Sequence, residues 1–259
     1  MFRKKIIYDF DDAIWLEDHK ERGSMLAKLK WKSKVGSICK WSFKVSAGNA
    51  YLADHARKFN HNVIVNPTTI DTQLMHNPEL YKMLSSRKKQ EMCIGWTGTH
   101  STLQYLSEIL PVLRKLEEQY EFKFRVISNK RPDFELRNAE FVPWQKESEI
   151  EDLMAIDIGI MPLTDDPWSR GKCGFKALQY MALEKPTVVS PVGINRKIIE
   201  HGVTGYHCTT LEDWHNYLLE LLINQKKRIE MGKKGRQFVK KHYSLESNGA
   251  NFLSLFGLP

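Results

Sequence analysis

Cysteine is scarce and scattered in this chain. The four that occur in 259 residues, Cys39, Cys93, Cys173 and Cys208, form no CxxC pair. This argues against a zinc site and against a disulfide framework, and points to a reduced, cytoplasmic setting. Long apolar runs are missing too; none approaches the roughly 18 residues of a membrane-spanning helix. The apolar Ile6-Ile7-Tyr8 that follows Arg3-Lys4-Lys5 is too short for the core of a signal peptide. The nine histidines show neither HExxH nor paired-ligand spacing. Internal repeats and low-complexity tracts are absent. So is acid from Gly23 to Ala53, where not one Asp or Glu occurs.

Positive charge fills that gap. Residues 1–60 hold 13 Lys/Arg and 7 Asp/Glu, an excess of six within a net charge of +8 for the chain. Lys28, Lys30, Lys32, Lys34, Lys40 and Lys44 alternate with Leu26, Leu29, Trp31, Val35, Ile38, Trp41 and Phe43. Three readings fit the pattern. It is a solvated helix with its lysines outward, a basic aromatic surface over residues 26–45 that meets anionic lipid headgroups, or a nucleic-acid attractor. No recognised nucleic-acid motif accompanies the charge, so nucleic acid is not an expected partner.

The rest of the chain alternates strand-like runs with helical periodicity. Strands are expected at Lys5–Asp9, Phe43–Ala47 and Val63–Val65, with a helix opened by Gly48-Asn49 and running to Phe59. Three strands are half of a doubly wound sheet. Residues 67–90 read as a linker with a short helix. A second α/β unit then starts at Met92, with strands at Cys93–Trp96, Phe122–Ile127, Glu140–Val142, Ile156–Met161, Thr187–Ser190 and Tyr206–Cys208. Between them fall helices over Thr102 to Tyr120, from a Ser148/Glu151 capping box to Ala155, over the 171–185 segment, and over Asn195 to His201. Helices at about 211–223, 225–241 and 245–256 close the chain. The expected class is α/β with parallel sheets covered on both faces.

The stretch Gly171–Gly193, GKCGFKALQYMALEKPTVVSPVG, carries the most chemistry. A small-residue turn enters a helix with Phe175, Leu178, Met181 and Ala182 on one face. Pro186 ends it, a β-branched strand follows, and Pro191-Val192-Gly193 turns again. Both turns fall at the carboxyl edge of a parallel sheet, where nucleotides bind. Free N–H groups at the Gly174 turn suit a diphosphate, and Arg170, Lys172 and Lys176 flank it. At the same edge lie Thr97-Gly98-Thr99-His100, Asn129-Lys130-Arg131 and Val142-Pro143-Trp144. Each has a functional reading (phosphate or sugar turn, diphosphate cation, base-stacking ring) beside a plain one (ordinary turn, solvated loop, packing residue). Asp9, Asp11 and Asp12 at a strand end invite a magnesium or manganese reading as well.

Met181-Ala182, Lys185-Pro186 and Pro191-Val192-Gly193 resemble the donor-binding core of the group 1 (family 4) glycosyltransferases, enzymes of the two-domain GT-B fold. Gly48-Asn49-x-Tyr51-Leu52 and Asn66-Pro67 through Asp71 are similar to the end of that family's N-terminal domain. The family's paired glutamates fall on Gly171 and Gln179, and Lys172-Cys173-Gly174-Phe175-Lys176 replaces its usual Glu-x-Phe-Gly. The resemblance implies a GT-B-like fold with one complete Rossmann-like domain at 67–240. It also implies a partial N-terminal acceptor-side domain at 1–66, lacking its first part, and a C-terminal helix at 241–259 that packs back on it.

The implied activity is sugar transfer from a nucleotide sugar to a glycan or lipid-linked acceptor, retaining and independent of metal and cofactor. A catalytically silent nucleotide-binding or interaction module is the alternative. On this basis Asp11 and Asp12 become catalytic candidates near the acceptor hydroxyl. Thr97, Gly98, Thr99, Lys130, Arg170, Lys172, Gly174, Phe175 and Lys176 become donor and phosphate candidates. Val142, Trp144 and Gln179 become nucleoside candidates, Gln179 standing where the family binds ribose. A protein of this kind works in the cytoplasm or on the inner face of the membrane.

Overall fold

A computed structural model describes residues 5–16, 33–81 and 91–257. The first sheet is small and wholly parallel, in the order β1 (Ile7–Phe10), β2 (Lys44–Ala47), β3 (Val63–Val65). Helix α1 (Lys34–Trp41) leads into β2, and α2 (Ala50–Arg57) joins β2 to β3. Asn49 caps α2, its side-chain oxygen accepting the Leu52 N–H at 3.0 Å. Capping of this kind is worth about 1 kcal/mol. Phe10, Val45, Ala47, Leu52 and Ala56 form the core under the sheet. The basic stretch is only partly described, because Leu26, Lys28, Leu29, Lys30, Trp31 and Lys32 lie outside the described residues. Within α1, Val35 and Cys39 are buried, whereas Trp41 is 73% exposed.

The second sheet holds six parallel strands: β4 (Met92–Gly98), β5 (Phe122–Ser128), β6 (Ala139–Pro143), β7 (Ile158–Met161), β8 (Thr187–Val189) and β9 (Gly205–His207). Their order is β6-β5-β4-β7-β8-β9. The direction of winding reverses between β4 and β7, which opens a crevice at the carboxyl ends of those two strands. Helices interleave with these strands: α3 (Leu110–Glu117) between β4 and β5, α4 (Glu149–Met154) between β6 and β7, and the single turn α5 (Pro167–Arg170) and α6 (Phe175–Ala182) between β7 and β8. Next come α7 (Asn195–Ile198), α8 (Leu211–Ile223) and α9 (Gln225–His242). The strands are apolar on both faces because helices cover both. Ile94, Trp96, Phe124, Ile158 and Ile160 face one core, and Met161, Leu178, Met181 and Val189 another. Tyr180, fully buried on α6, accepts the Thr97 N–H at 2.8 Å and pins the end of β4.

Several expectations need correction. The helix expected over Thr102–Tyr120 is two pieces, a 3-10 segment at Leu103–Glu108 and α3. Pro111 is the cause: lacking an N–H, it sits in the first turn of a helix and not in its interior. The Ser148/Glu151 capping box does not form. Ser148 is already helical in φ and ψ (−105°, −1°), and its hydroxyl donates to Asp152 at 2.8 Å instead. The helix expected to His201 stops at Ile198. Phe175 does not belong to the buried face of α6; it is 45% exposed. The linker region is irregular through Asn77 and then makes one 3-10 turn, Pro78–Tyr81, while Arg87, Lys88 and Lys89 lie outside the described residues.

Helix α10 (Leu245–Ser254) returns to the first sheet. Asn251 Nδ2 donates to the Val65 carbonyl at 3.2 Å, and Lys44 Nζ donates to the Ser254 carbonyl at 2.6 Å. Just before it, Ile70 and Ser244 form a parallel bridge. Among the described residues, segments 66–81 and 243–245 lie between the two sheets. Among the described residues no helix is long and apolar enough to cross a membrane.

Candidate functional site

A cavity of about 680 Å³ opens at the carboxyl edge of both sheets. Its floor is the segment from α5 into α6. Gly174 caps α6 at φ +73°, a left-handed conformation that costs most residues and suits glycine. The first-turn N–H groups of α6 therefore open toward the cavity, with the positive end of the helix dipole behind them. Lys172 and Lys176 line the same wall. Burial first and the Lys172 charge second push the Lys176 ammonium down to about 8, with Asp12 partly offsetting both. A lysine so depressed lies in a place that favours a bound anion. The opposite wall carries Asp11 and Asp12 from the end of β1, with Asp12 at 3.8 Å from Lys172 Nζ.

The two walls are fastened together. Asn49 Nδ2 donates to the carbonyls of Gly171 (2.9 Å) and Lys172 (3.2 Å), and the Cys173 thiol donates to the Asp11 carbonyl at 3.1 Å. Burial, helped by the charges of Asp11 and Asp12, raises that thiol to about 12, so it serves as packing and not as a thiolate. Gly171 sits against the first lobe: a Cβ there would lie 2.6 Å from the Ala13 methyl and 2.9 Å from its nitrogen. A side chain at 171 would need the space that the methyl and backbone nitrogen of Ala13 fill.

The far end of the cavity is built by Trp144, Glu149 and Gln179. Glu149 Oε1 accepts from Trp144 Nε1 and from Gln179 Nε2, each at 3.2 Å. Gln179 Nε2 also lies 3.4 Å from His76 Nε2. Burial holds His76 below its ordinary value, chiefly by desolvation and against the opposing pull of Glu149 and Asp71. The imidazole is therefore neutral near pH 7 and accepts the second amide proton. Arg236 holds the His76 loop in place, donating to the carbonyls of His76 (2.7 Å) and Thr72 (3.0 Å).

Of the residues singled out in the sequence, Asp11, Asp12, Thr97, Gly98, Thr99, Trp144, Lys172, Gly174, Phe175, Lys176 and Gln179 line this cavity. Lys130, Val142 and Arg170 do not. Lys130 points to solvent from the β5 turn. Val142 packs beside Ile127 and Ile150 beneath β6. Arg170 turns outward to Asp165, Nε to Oδ1 at 2.7 Å. Asp9 is exposed, and among the described residues no cluster of His, Cys, Asp or Glu is arranged to hold a metal ion. The sequence reading missed Glu149 and His76. Glu149 reads there as a first-turn acid of a helix, and His76 falls in a segment without periodicity. Only the tertiary fold brings them to Gln179.

The family model for glycosyl transferases group 1 matches residues 104–238. No curated protein matches the chain. Solved structures similar to it include the sucrose-phosphate synthase of Thermosynechococcus elongatus, at 12% identity and a TM-score of 0.75, covering 98% of this chain and 68% of that one. Anabaena HepE in complex with UDP and glucose matches at 13% identity and a TM-score of 0.71, over 98% of this chain and 72% of that one. A mutant of S. aureus TarM in complex with fondaparinux, α-GlcNAc-glycerol and UDP matches at 14% and 0.69, over 97% of this chain and 50% of that one. The chain thus spans between half and about seven tenths of these proteins. At such identities the likeness concerns the fold.

Proposed function

The chain belongs to the group 1 glycosyl transferases, and from that premise we propose that it moves a sugar from a nucleoside-diphosphate sugar to an acceptor hydroxyl. One observation carries the reading: Lys172, Lys176 and the N-terminus of α6 converge on a single cavity at the switch point of the six-stranded sheet. The donor diphosphate rests on the Gly174 turn. As the bond from sugar to phosphate breaks, negative charge grows on the leaving diphosphate, and the two ammonium groups with the α6 amides stabilise it. The lysines supply charge of the kind a divalent cation would bring, which supports a metal-independent reaction. Thr97, Gly98 and Thr99 face the transferring sugar at the end of β4. Asp11 and Asp12, across the cavity, orient the acceptor hydroxyl or take its proton. Retention of configuration at the sugar carbon belongs to this reading as a property of the family.

HepE was solved with UDP and glucose and TarM with UDP, which supports a uridine or related nucleotide as donor. The acceptor is a glycan or a lipid-linked sugar. Exposed Ile6, Trp41 and Phe43 with Lys5, Lys40 and Lys44 form a basic aromatic patch on the first lobe, which supports docking on an anionic membrane surface. One observation favours the silent-module reading: at Gly171 neither a carboxylate nor the room for one exists. Incubation with UDP-, GDP- and ADP-sugars separates the two. Release of a nucleoside diphosphate, accelerated by an acceptor glycan, supports transfer. Saturable binding without release of diphosphate in any pairing supports the silent module.

A further inference from the structure

Helix α10 turns its polar side to the protein and its apolar side to water. On the inner side, Asn251 Nδ2 donates to the Val65 carbonyl at 3.2 Å and to Asn66 Oδ1 at 3.0 Å. The Ser254 carbonyl accepts from Lys44 Nζ at 2.6 Å. Ser247 and Asn248 both donate back to the Ser244 carbonyl at 3.2 Å. No residue of the helix is buried; Leu255, just past its end, is the one apolar side chain that reaches the interior. On the outer side, Leu245, Phe252 and Phe256 follow one another at helical intervals, so they lie along one line. Leu253 flanks them, and all four are between 40% and 57% exposed. The Phe252 and Phe256 rings meet edge to face with centroids 5.4 Å apart. A Cβ on Gly249, on the same line, would meet nothing within 4 Å. This is the reverse of the usual surface helix, which hides its apolar stripe.

An exposed stripe gains from any apolar cover, and the charge around it says which cover fits. Helix α9 holds eight Lys/Arg and one acid, Glu230. Its last turn brings exposed Lys240, Lys241 and His242 to the start of α10, with only Tyr243 and Ser244 between. At the other end stands Lys44, bonded to Ser254. Beside it Phe43 carries the Lys5 ammonium 4.3 Å from its ring centroid, and exposed Trp41 follows. Glu246 is the single acid within α10. A plain apolar groove on another protein would match the stripe and leave the cations at both ends without partners. An anionic bilayer matches both: its acyl boundary takes the Leu and Phe side chains, and its headgroups take the ammonium groups. We propose that α10 lies flat in the headgroup layer of an anionic membrane, apolar side inward, on a docking face that runs from the end of α9 across α10 to Lys44 and Trp41. The inference deepens the membrane reading given above, which used the first lobe alone.

The test is co-sedimentation of the whole chain with vesicles of phosphatidylserine and phosphatidylcholine in equal parts, beside vesicles of phosphatidylcholine alone. Wild type should bind the anionic vesicles at least about tenfold more tightly than the neutral ones. Phe252→Ser/Phe256→Ser keeps the charge, so it separates insertion from plain attraction of a basic protein; it should weaken binding at least about tenfold. Lys240→Glu/Lys241→Glu should do the same, and raised salt should erase that difference. Wild-type nucleotide binding by each variant shows that it folds. If a variant does not fold, amide hydrogen exchange on wild type carries the test, and residues 245–256 must exchange more slowly once vesicles are added. A phenylalanine variant that binds like wild type overturns the proposal; if Trp41→Ala then loses binding, the contact belongs to the first lobe alone. A dimer that dissociates in Phe252→Ser/Phe256→Ser, in a chain indifferent to vesicles, gives the face to a second copy and overturns it too. No binding of wild type to either vesicle overturns both membrane readings and leaves the donor site untouched.

Discussion

Raising the pH from 7 to 9 should loosen a bound diphosphate by removing one particular charge. Lys176 is held down to about 8 by burial and by Lys172. At that value the ammonium is about nine-tenths populated at pH 7 and about one-tenth at pH 9. If the anion needs that charge, its dissociation constant rises about tenfold, or about 1.4 kcal/mol. The phosphate is already ionised over this range and adds little slope of its own. Unfolding cannot imitate the effect. Between pH 8 and the ordinary 10.5 of a lysine, the unfolded chain binds more protons at this site than the folded one, so stability from this group rises with pH while affinity falls. Calorimetry at pH 7, 8 and 9 in two buffers of different ionisation enthalpy reads both the affinity and the proton taken up on binding. Lys176→Arg, charged throughout, should abolish the slope and the proton uptake. A flat wild-type profile, or an equal slope in Lys176→Arg, refutes the reasoning.

Other consequences follow from single contacts. Gly171→Glu, which restores a carboxylate at a position where the family carries one, should lower stability by on the order of 1–3 kcal/mol in denaturant melts, because Ala13 occupies its space; unchanged stability would contradict the packing described. Asn49→Ser keeps the cap of α2 but cannot reach Gly171 and Lys172, so it should cost on the order of 1 kcal/mol and weaken diphosphate binding. Asn49→Ala, which loses the cap as well, should cost about 1 kcal/mol more. Trp41→Ala should halve or further reduce sedimentation with phosphatidylserine vesicles, and raised salt should do the same. Vesicle binding indifferent to both changes would exclude that patch as the membrane contact.

What the sequence disclosed was local or periodic. The helix expected at about 211–223 forms over Leu211–Ile223, because its apolar spacing is regular. Asn49 announces α2, and Gly174 with Lys172 and Lys176 announces a turn that lines the cavity. Long-range packing was beyond reach. Arg170 and Lys130 lie beside the turns that form the cavity, yet side-chain direction separates neighbours in sequence, and Asp165 draws Arg170 outward. Phe175 obeys the helical period of Leu178 and Met181, but at the first turn of α6 that face looks into the cavity and not the core. Ser148 and Glu151 match a capping pattern whose hydroxyl found a stronger acceptor in Asp152. Glu149 and His76 acquire meaning only through Gln179, 30 and 103 residues away.

The account stands most directly on one titration: UDP, GDP and ADP against the wild-type chain and against Lys172→Ala/Lys176→Ala. Saturable binding of one diphosphate, weakened at least about a hundredfold when both ammonium groups are removed, is the predicted result. Binding that survives the double substitution unchanged would place the nucleotide elsewhere and contradict the anion cradle at Gly174.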